Sequence, residues 1–114
     1  MTGVPEKQEK KELSSEEHRL RLFRLLSRVP RPEREARERL AAWGATPEEV
    51  EALIAEFRGM SLLDDALYAR LFVEGHESWG NDRIVRELSR RGIAHRDIVS
   101  ALEGRDEVAQ AQAL

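Results

Sequence analysis

The sequence predicts an all-α fold of tandem three-helix repeats forming an elongated modular array, on three observations. Apolar residues recur at spacings of three and four, the period of one helix face. The pattern then restarts: at an offset of 48 residues, Leu40-Ala41-Ala42-Trp43-Gly44 falls on Leu88-Ser89-Arg90-Arg91-Gly92, Ala36 on Ile84, Val50 on Ile98 and Ile54 on Leu102. Each unit of such an array is too small to bury all of its apolar surface alone, so it leans on its neighbour. Third, 114 residues with 40% hydrophobic, 36% charged and 5% aromatic side chains are too apolar for a wholly disordered chain and too few for a large enzyme core.

Residues 1–15 mix Lys and Glu without apolar periodicity and are expected to form a disordered polar tail. Ser14 with Glu17 fits a capping box, in which hydroxyl and carboxylate satisfy the orphan backbone donors of a helix start. Leu22, Phe23, Leu25, Leu26 and Val29 follow as one apolar sector until Pro30 and Pro32 end the helix. Ala36, Leu40 and Trp43 mark a second helix, closed by Gly44 where a left-handed cap is expected. Thr46-Pro47-Glu48-Glu49 is the strongest local signal, with a capping threonine, proline at the first helical position and glutamate three residues after the cap. Val50, Leu53, Ile54 and Phe57 then form the inner face of a third helix ending near Gly59.

The second repeat starts with Asp64 or Asp65 as cap, Leu63 placed to staple onto Tyr68, and Leu67, Tyr68, Leu71 and Phe72 as the apolar face. Gly75 to Gly80 breaks this helix. Asn81 can cap a fifth, with Ile84 and Leu88 inward and Gly92 at its exit, and a sixth runs from about His95 to Glu103 around Ile98 and Leu102. The expected boundaries are thus 16–60 for the first repeat and 61–104 for the second. Residues 105–114, with Asp106-Glu107 echoing Asp64-Asp65, read as the start of a truncated third.

Composition also narrows function. There are no cysteines, which removes disulfides, thiolate metal sites and cysteine nucleophiles and fits a reducing cytoplasm. No stretch approaches the ~20 apolar residues of a membrane span, and the first residues have no apolar core of a signal peptide, so a cytoplasmic location is expected. His18, His76 and His95 lack the spacing of a zinc site. There is no glycine-rich phosphate loop and no nucleophile elbow, and Asp64-Asp65 are better used as caps than as metal ligands. Neither catalysis, a metal nor any cofactor is expected.

The net charge of -3 argues against a generic polycation, yet after Lys7, Lys10 and Lys11 every basic residue is one of sixteen arginines. On a helix Arg83, Arg86 and Arg90 fall within about 60° of one another, opposite Ile84 and Leu88, with Arg91 at the end of the row. Arg21, Arg24 and Arg28 cluster likewise on the first helix, followed by Arg31 and Arg34. The bland alternative is a solvated face balanced by Glu35, Glu38 and Glu87. The functional one is docking to phosphate or an acidic surface, which the planar guanidinium fork suits. Trp79, in a loop, is the aromatic open to stacking, whereas Trp43 and Tyr68 fit core positions.

Leu62-Leu63-Asp64-Asp65 with Tyr68-Ala69, then Gly80, Arg83-Ile84, Glu87-Leu88 and Arg91-Gly92-Ile93, preceded by Leu25-Leu26-Ser27-Arg28 and Leu40-Ala41-Ala42-Trp43-Gly44, resembles the RecX family over residues 18–109. The resemblance implies three tandem three-helix units and a non-catalytic regulator of the recombinase RecA. Such a protein lies in the groove of the RecA filament on single-stranded DNA and damps strand exchange, ATP hydrolysis and co-protease function in DNA repair, recombination and the SOS response. The implied partner is RecA and its filament, with direct DNA contact as a further possibility, and the chain is expected to be a monomer away from membranes. From the arginine rows, Arg24, Arg28, Arg31, Arg83, Arg86, Arg90 and Arg91 are expected to supply the contacts to DNA or to an acidic RecA surface. Two features depart from the pattern: the third unit is missing beyond its first turns, and Pro32 stands where relatives often have a capping serine. Two readings compete, a stand-alone helix-turn-helix-like DNA-binding module built on the last two helices and a helical protein-interaction scaffold.

Overall fold

A computed structural model describes the backbone of residues 3–113 and the side chains of residues 15–105. Six helices follow one another: α1 Gly3–Arg28, α2 Glu33–Ala42, α3 Pro47–Gly59, α4 Asp65–Gly75, α5 Asn81–Arg90 and α6 His95–Ala113. Among the described residues there is no strand. The chain divides into two compact units, one holding the residues up to Pro30 with Glu35–Leu63, the other Arg31–Arg34 with everything from Asp64 onward.

Each unit closes over its own apolar centre. In the first, Leu22 and Leu26 of α1, Ala36 and Leu40 of α2 and Val50, Leu53, Ile54 and Phe57 of α3 bury one another, with Leu63. In the second, Ala69, Phe72 and Val73 of α4, Ile84 and Leu88 of α5 and Ile98 and Ala101 of α6 do the same, with Ile93 from the α5–α6 turn. At about 1.5–3 kcal/mol for each fully buried aliphatic or phenyl side chain, these centres dominate the favourable side of folding. The exposed Arg–Glu pairs on the outer faces add about 0–1 kcal/mol each.

The offset of 48 residues is met by the helix bounds themselves: α2 and α5 start at 33 and 81, α3 and α6 at 47 and 95. The turns that join them match bond for bond. Gly44 and Gly92 have φ of 96° and 88°, the left-handed region that glycine enters without a Cβ clash. Their N–H groups donate to Ala41 and Ser89, and the next residues, Ala45 and Ile93, donate to Leu40 and Leu88, all at 3.0 Å. At Gly92 a second constraint is present, because a Cβ there would lie 2.4 Å from Arg34 Cδ and 2.9 Å from its Cβ.

α3 begins as its sequence requires. Thr46 Oγ1 accepts from the Glu49 N–H at 3.2 Å and Glu49 Oε1 accepts from the Thr46 N–H at 3.3 Å, so each residue satisfies a donor that the helix start orphans.

Several local expectations are corrected. α3 ends at Gly59 as expected, but its exit turn is made by Ser61 at φ 59° and not by a glycine, with Leu62 N–H donating to Phe57 and Ser61 N–H to Arg58. This is the same closure as at Gly44, made without glycine. Gly80, not Asn81, occupies the cap position of α5. Leu63 is buried in the first unit's core, and Tyr68 packs on the second's. Phe23 and Leu71 are exposed because they lie at the margins of helix sectors whose centres are Leu22, Leu26, Phe72 and Val73, and Val29 is exposed past the end of α1. α1 is helical from Gly3, so Ser14 lies inside it, and the side chains of residues 1–14, where a disordered tail is expected, are outside the described ones. α6 continues through Gly104 to Ala113 without the break at which a third repeat is expected to begin; a helical glycine costs only ~1 kcal/mol relative to alanine. The side chains from residue 106 onward are likewise outside the description.

Candidate functional site

Because Ile84 and Leu88 point into the core with no exposed surface, the 3.6-residue period turns Arg83, Arg86 and Arg90 outward, and all three are exposed. Their surroundings nonetheless differ. Arg83 lays its guanidinium over the Trp79 indole, 3.6 Å from the ring centroid. Arg86 makes no hydrogen bond, ion pair or ring contact with any described residue. Arg90 donates to both oxygens of Glu87, at 3.1 Å from Nε and 2.5 Å from Nη2.

Arg91 is half-buried and engaged on three sides. Its Nε donates to Glu87 Oε2 at 2.7 Å, its Nη1 to the Tyr68 hydroxyl at 2.5 Å, and its guanidinium lies 4.9 Å from the Phe72 ring centroid. These bonds from Arg90 and Arg91 hold the Glu87 carboxyl well below its ordinary range, at about 2. Of the four arginines expected to meet a partner on this helix, Arg83 and Arg86 are presented outward, Arg90 shares its charge with Glu87, and Arg91 joins α5 to α4.

In the first unit, Arg24 and Arg28 of α1 are exposed and have no partner among the described residues. Arg21, in the same row, is paired with Glu17 at 2.6 Å and lies 5.8 Å from the Trp43 ring centroid. Arg31 groups with the second unit instead of the first. It is half-buried and engaged within the protein, with its Nε enclosed away from any acceptor.

Asp64 and Asp65 divide the capping work. Asp64 Oδ1 accepts from the Leu67 N–H at 3.0 Å at the start of its own helix, whereas Asp65 Oδ1 accepts from the Glu33 N–H at 2.9 Å. Asp65 thereby supplies the cap that Pro32 cannot. Burial raises its pKa above the ordinary value of 3.8, against the lowering effect of the Glu33 N–H, and the Glu33, Asp97 and Asp64 carboxylates push the same way as burial.

Three further groups lie beyond the reach of motif reading. His18 is buried in the first unit, with Nε2 donating to the Trp43 carbonyl at 2.9 Å and Nδ1 facing Glu49 Oε2 at 3.3 Å. Arg105 folds back onto the α4–α5 turn, its Nη1 donating to the Trp79 carbonyl and Asn81 Oδ1 at 2.9 Å and its Nη2 to the His76 carbonyl at 3.0 Å. The repeat offers a signal for it, since 48 residues earlier the same place is filled by buried Phe57. Finally, Leu20, Phe23 and Met60 line an open groove of about 480 Å³ between α1 and α3, rimmed by Glu16, Glu17 and Glu56. Among the described residues no three His, Asp or Glu side chains gather as a metal ion would require, and no helix is long and apolar enough to cross a membrane.

The fold and these outward arginine rows define an all-α tandem-repeat protein, the class in which a partner meets side chains on helix faces. No protein-family model matches the chain. Regulatory protein RecX of Pectobacterium atrosepticum is 41% identical over 76 residues, covering 65% of this chain and 46% of that protein. Regulatory protein RecX of Halorhodospira halophila is 34% identical over 105 residues, covering 89% of this chain and 65% of its own length. A crystal structure of regulatory protein RecX superposes with a TM-score of 0.75 at 24% identity, over 91% of this chain and 54% of the other. The chain belongs to the RecX family. It spans about half to two thirds of the length of these relatives, which are named as regulatory proteins and not as enzymes.

Proposed function

We propose that the chain is a non-catalytic regulator that binds RecA or the RecA filament on single-stranded DNA and damps its recombinase and co-protease activities in the cytoplasm. The observation that carries this reading is the set of exposed arginines that the fold does not use: Arg24 and Arg28 on α1 and Arg86 on α5 have no partner among the described residues, and Arg83 presents one guanidinium face outward. Without acceptors among the described residues, such groups are available to phosphate or carboxylate. The family relationship supplies the partner, through the resemblance to regulators of RecA. Arg90 and Arg91 contribute less than the sequence pattern suggests, because Glu87 already occupies them.

The test is cosedimentation with RecA filaments on single-stranded DNA, together with the filament's ATP hydrolysis rate. The quadruple variant Arg24→Glu, Arg28→Glu, Arg83→Glu and Arg86→Glu should lose cosedimentation and leave ATP hydrolysis undamped while its helicity by circular dichroism is unchanged. Full binding by that variant would refute the arginine faces as the contact, and absence of binding by the unaltered chain would refute the partner.

A further inference from the structure

The second unit carries an aromatic assembly at the edge of its core. Phe72 stacks on His76 at 4.0 Å between ring centroids and meets Trp79 edge-on at 5.7 Å, and His76 lies 4.4 Å from Trp79. His76 is fixed in turn, with Nδ1 donating to the Phe72 carbonyl at 2.7 Å. Arg105 fastens the turn that carries these rings by binding two of its carbonyls, those of His76 and Trp79. Trp79 is therefore half-buried and held on a braced turn, unlike an indole on a mobile loop.

On the outer side of that indole sits Arg83, its guanidinium 3.6 Å from the ring centroid, exposed and without a hydrogen-bond acceptor among the described residues. A guanidinium stacked on one aromatic face presents a second flat face and its N–H edge to whatever approaches. Arg86, one turn along the same helix, lies within about 5–6 Å by Cβ spacing and carries a charge without a partner among the described residues. A braced flat cation next to an unpartnered one matches a base and its neighbouring phosphate: the plane stacks on the base and the second arginine meets the backbone.

We infer that the Trp79–Arg83 stack is a platform for an unpaired nucleobase of single-stranded nucleic acid, with Arg86 binding the adjoining phosphate and Arg105 positioning the platform. A base within a duplex shows its flat face only to its neighbours, so the platform selects single strands. The inference rests on the functional reading above and deepens it, since it assigns the α5 face to nucleic acid and not to an acidic protein surface.

Fluorescence anisotropy on the full chain tests it, using two labelled oligonucleotides of equal length, one of thymidines and one with the same backbone and no bases. The thymidine strand should bind roughly tenfold tighter than the abasic one, the size of one stacked base. Arg83→Lys, which keeps the charge and loses the plane, should bring the thymidine affinity down to the abasic value and leave the abasic affinity unchanged. Arg86→Ala should weaken both strands alike. Equal affinity for the two strands, no binding to either, or a thymidine affinity unmoved by Arg83→Lys would overturn the platform. Because cosedimentation with RecA filaments is a separate readout, retained filament binding in any of those cases leaves the functional reading standing.

Discussion

Leu40 and Leu88 occupy corresponding turns of α2 and α5, and neither has any exposed surface, yet the outer faces of the two helices carry opposite charge. Glu35 and Glu38 in the first unit correspond to Arg83 and Arg86 in the second, and Arg39 corresponds to Glu87. The first helix thus pairs Arg39 with Glu35 at 3.4 Å, while the second gathers two arginines on one glutamate and leaves two outward. Inner positions are copied because an apolar centre tolerates little change in volume. Outer positions are unconstrained by packing, and there the two units have diverged in sign. The arginine row of α5 is therefore not a requirement of the repeat.

The same comparison holds at the ends of the third helices, and there it predicts the largest difference. Phe57 of α3 is fully buried in its core, and its counterpart Arg105 of α6 serves by three hydrogen bonds to the α4–α5 turn. Phe57→Ala should cost about 3–5 kcal/mol, as expected when a large aromatic leaves a cavity. Arg105→Ala should cost about 1.5–3 kcal/mol, the range for hydrogen bonds to a charged group. Urea unfolding of the two variants measures both, and equal losses would mean that Arg105 contributes by packing its stem and not by its bonds.

A smaller effect is set by the helix starts. Thr46 caps α3 through its hydroxyl, whereas Ala94 stands in the corresponding place before α6, with the Ile98 N–H donating to its carbonyl at 3.2 Å just as Val50 donates to Thr46 at 2.9 Å. Thr46→Ala should destabilise by about 1 kcal/mol, whereas Ala94→Thr should stabilise by clearly less than about 1 kcal/mol, since the Asp97 N–H that a hydroxyl there would reach already donates to the Ala94 carbonyl at 3.0 Å. Thermal unfolding reads both signs. A destabilised Ala94→Thr would show that the two turns are not equivalent in backbone, contrary to their matching bonds.

These comparisons also mark what was legible beforehand. The positions of α2, α3 and α5, and the start of α6, could be read from the sequence because Gly44, Gly92 and Thr46-Pro47 act on their own neighbours, within a turn of the chain. Core residues at sector centres, such as Leu22, Ile54, Ile84 and Leu88, could be read for the same reason. What stayed hidden depends on partners distant in sequence. Glu87 was visible as a balancing charge, but that it would take Arg90 and Arg91 and spare Arg83 and Arg86 depends on the Tyr68 hydroxyl and the Phe72 ring beside Arg91. Likewise the sequence offers either Asp64 or Asp65 as the cap of α4, and the acceptor role of Asp65 toward Glu33 spans 32 residues. Trp79 was read as open to stacking, and one of its faces is already taken by Arg83.

The smallest expected effect separates carboxylates by the sign of their response to acid. Glu87 is held near 2 in the folded chain by Arg90 and Arg91, against an ordinary value of 4.5, so its contribution is present above 4.5 and is lost as pH falls from there toward 2. Glu49 is lowered as well, first by the Thr46 backbone N–H and further by the Ser15 hydroxyl and His18, and follows the same direction. Asp65 runs the other way. Its folded pKa lies above 3.8, so between 3.8 and that raised value the folded state binds more protons than the unfolded one, and stability from this group falls as pH rises through that window. Asp65→Asn keeps an oxygen for the Glu33 N–H and removes the buried charge, so it should raise stability at pH 7, by less than the ~1 kcal/mol of a whole cap. The gain should vanish below pH 3.8, where the wild-type carboxyl is protonated in both states. Asp65→Ala, which removes the acceptor, should destabilise at both pH values. If Asp65→Asn instead behaves like Asp65→Ala at pH 7, the ionised charge on Asp65 is itself what holds the start of α2, and burial is the weaker influence at this site.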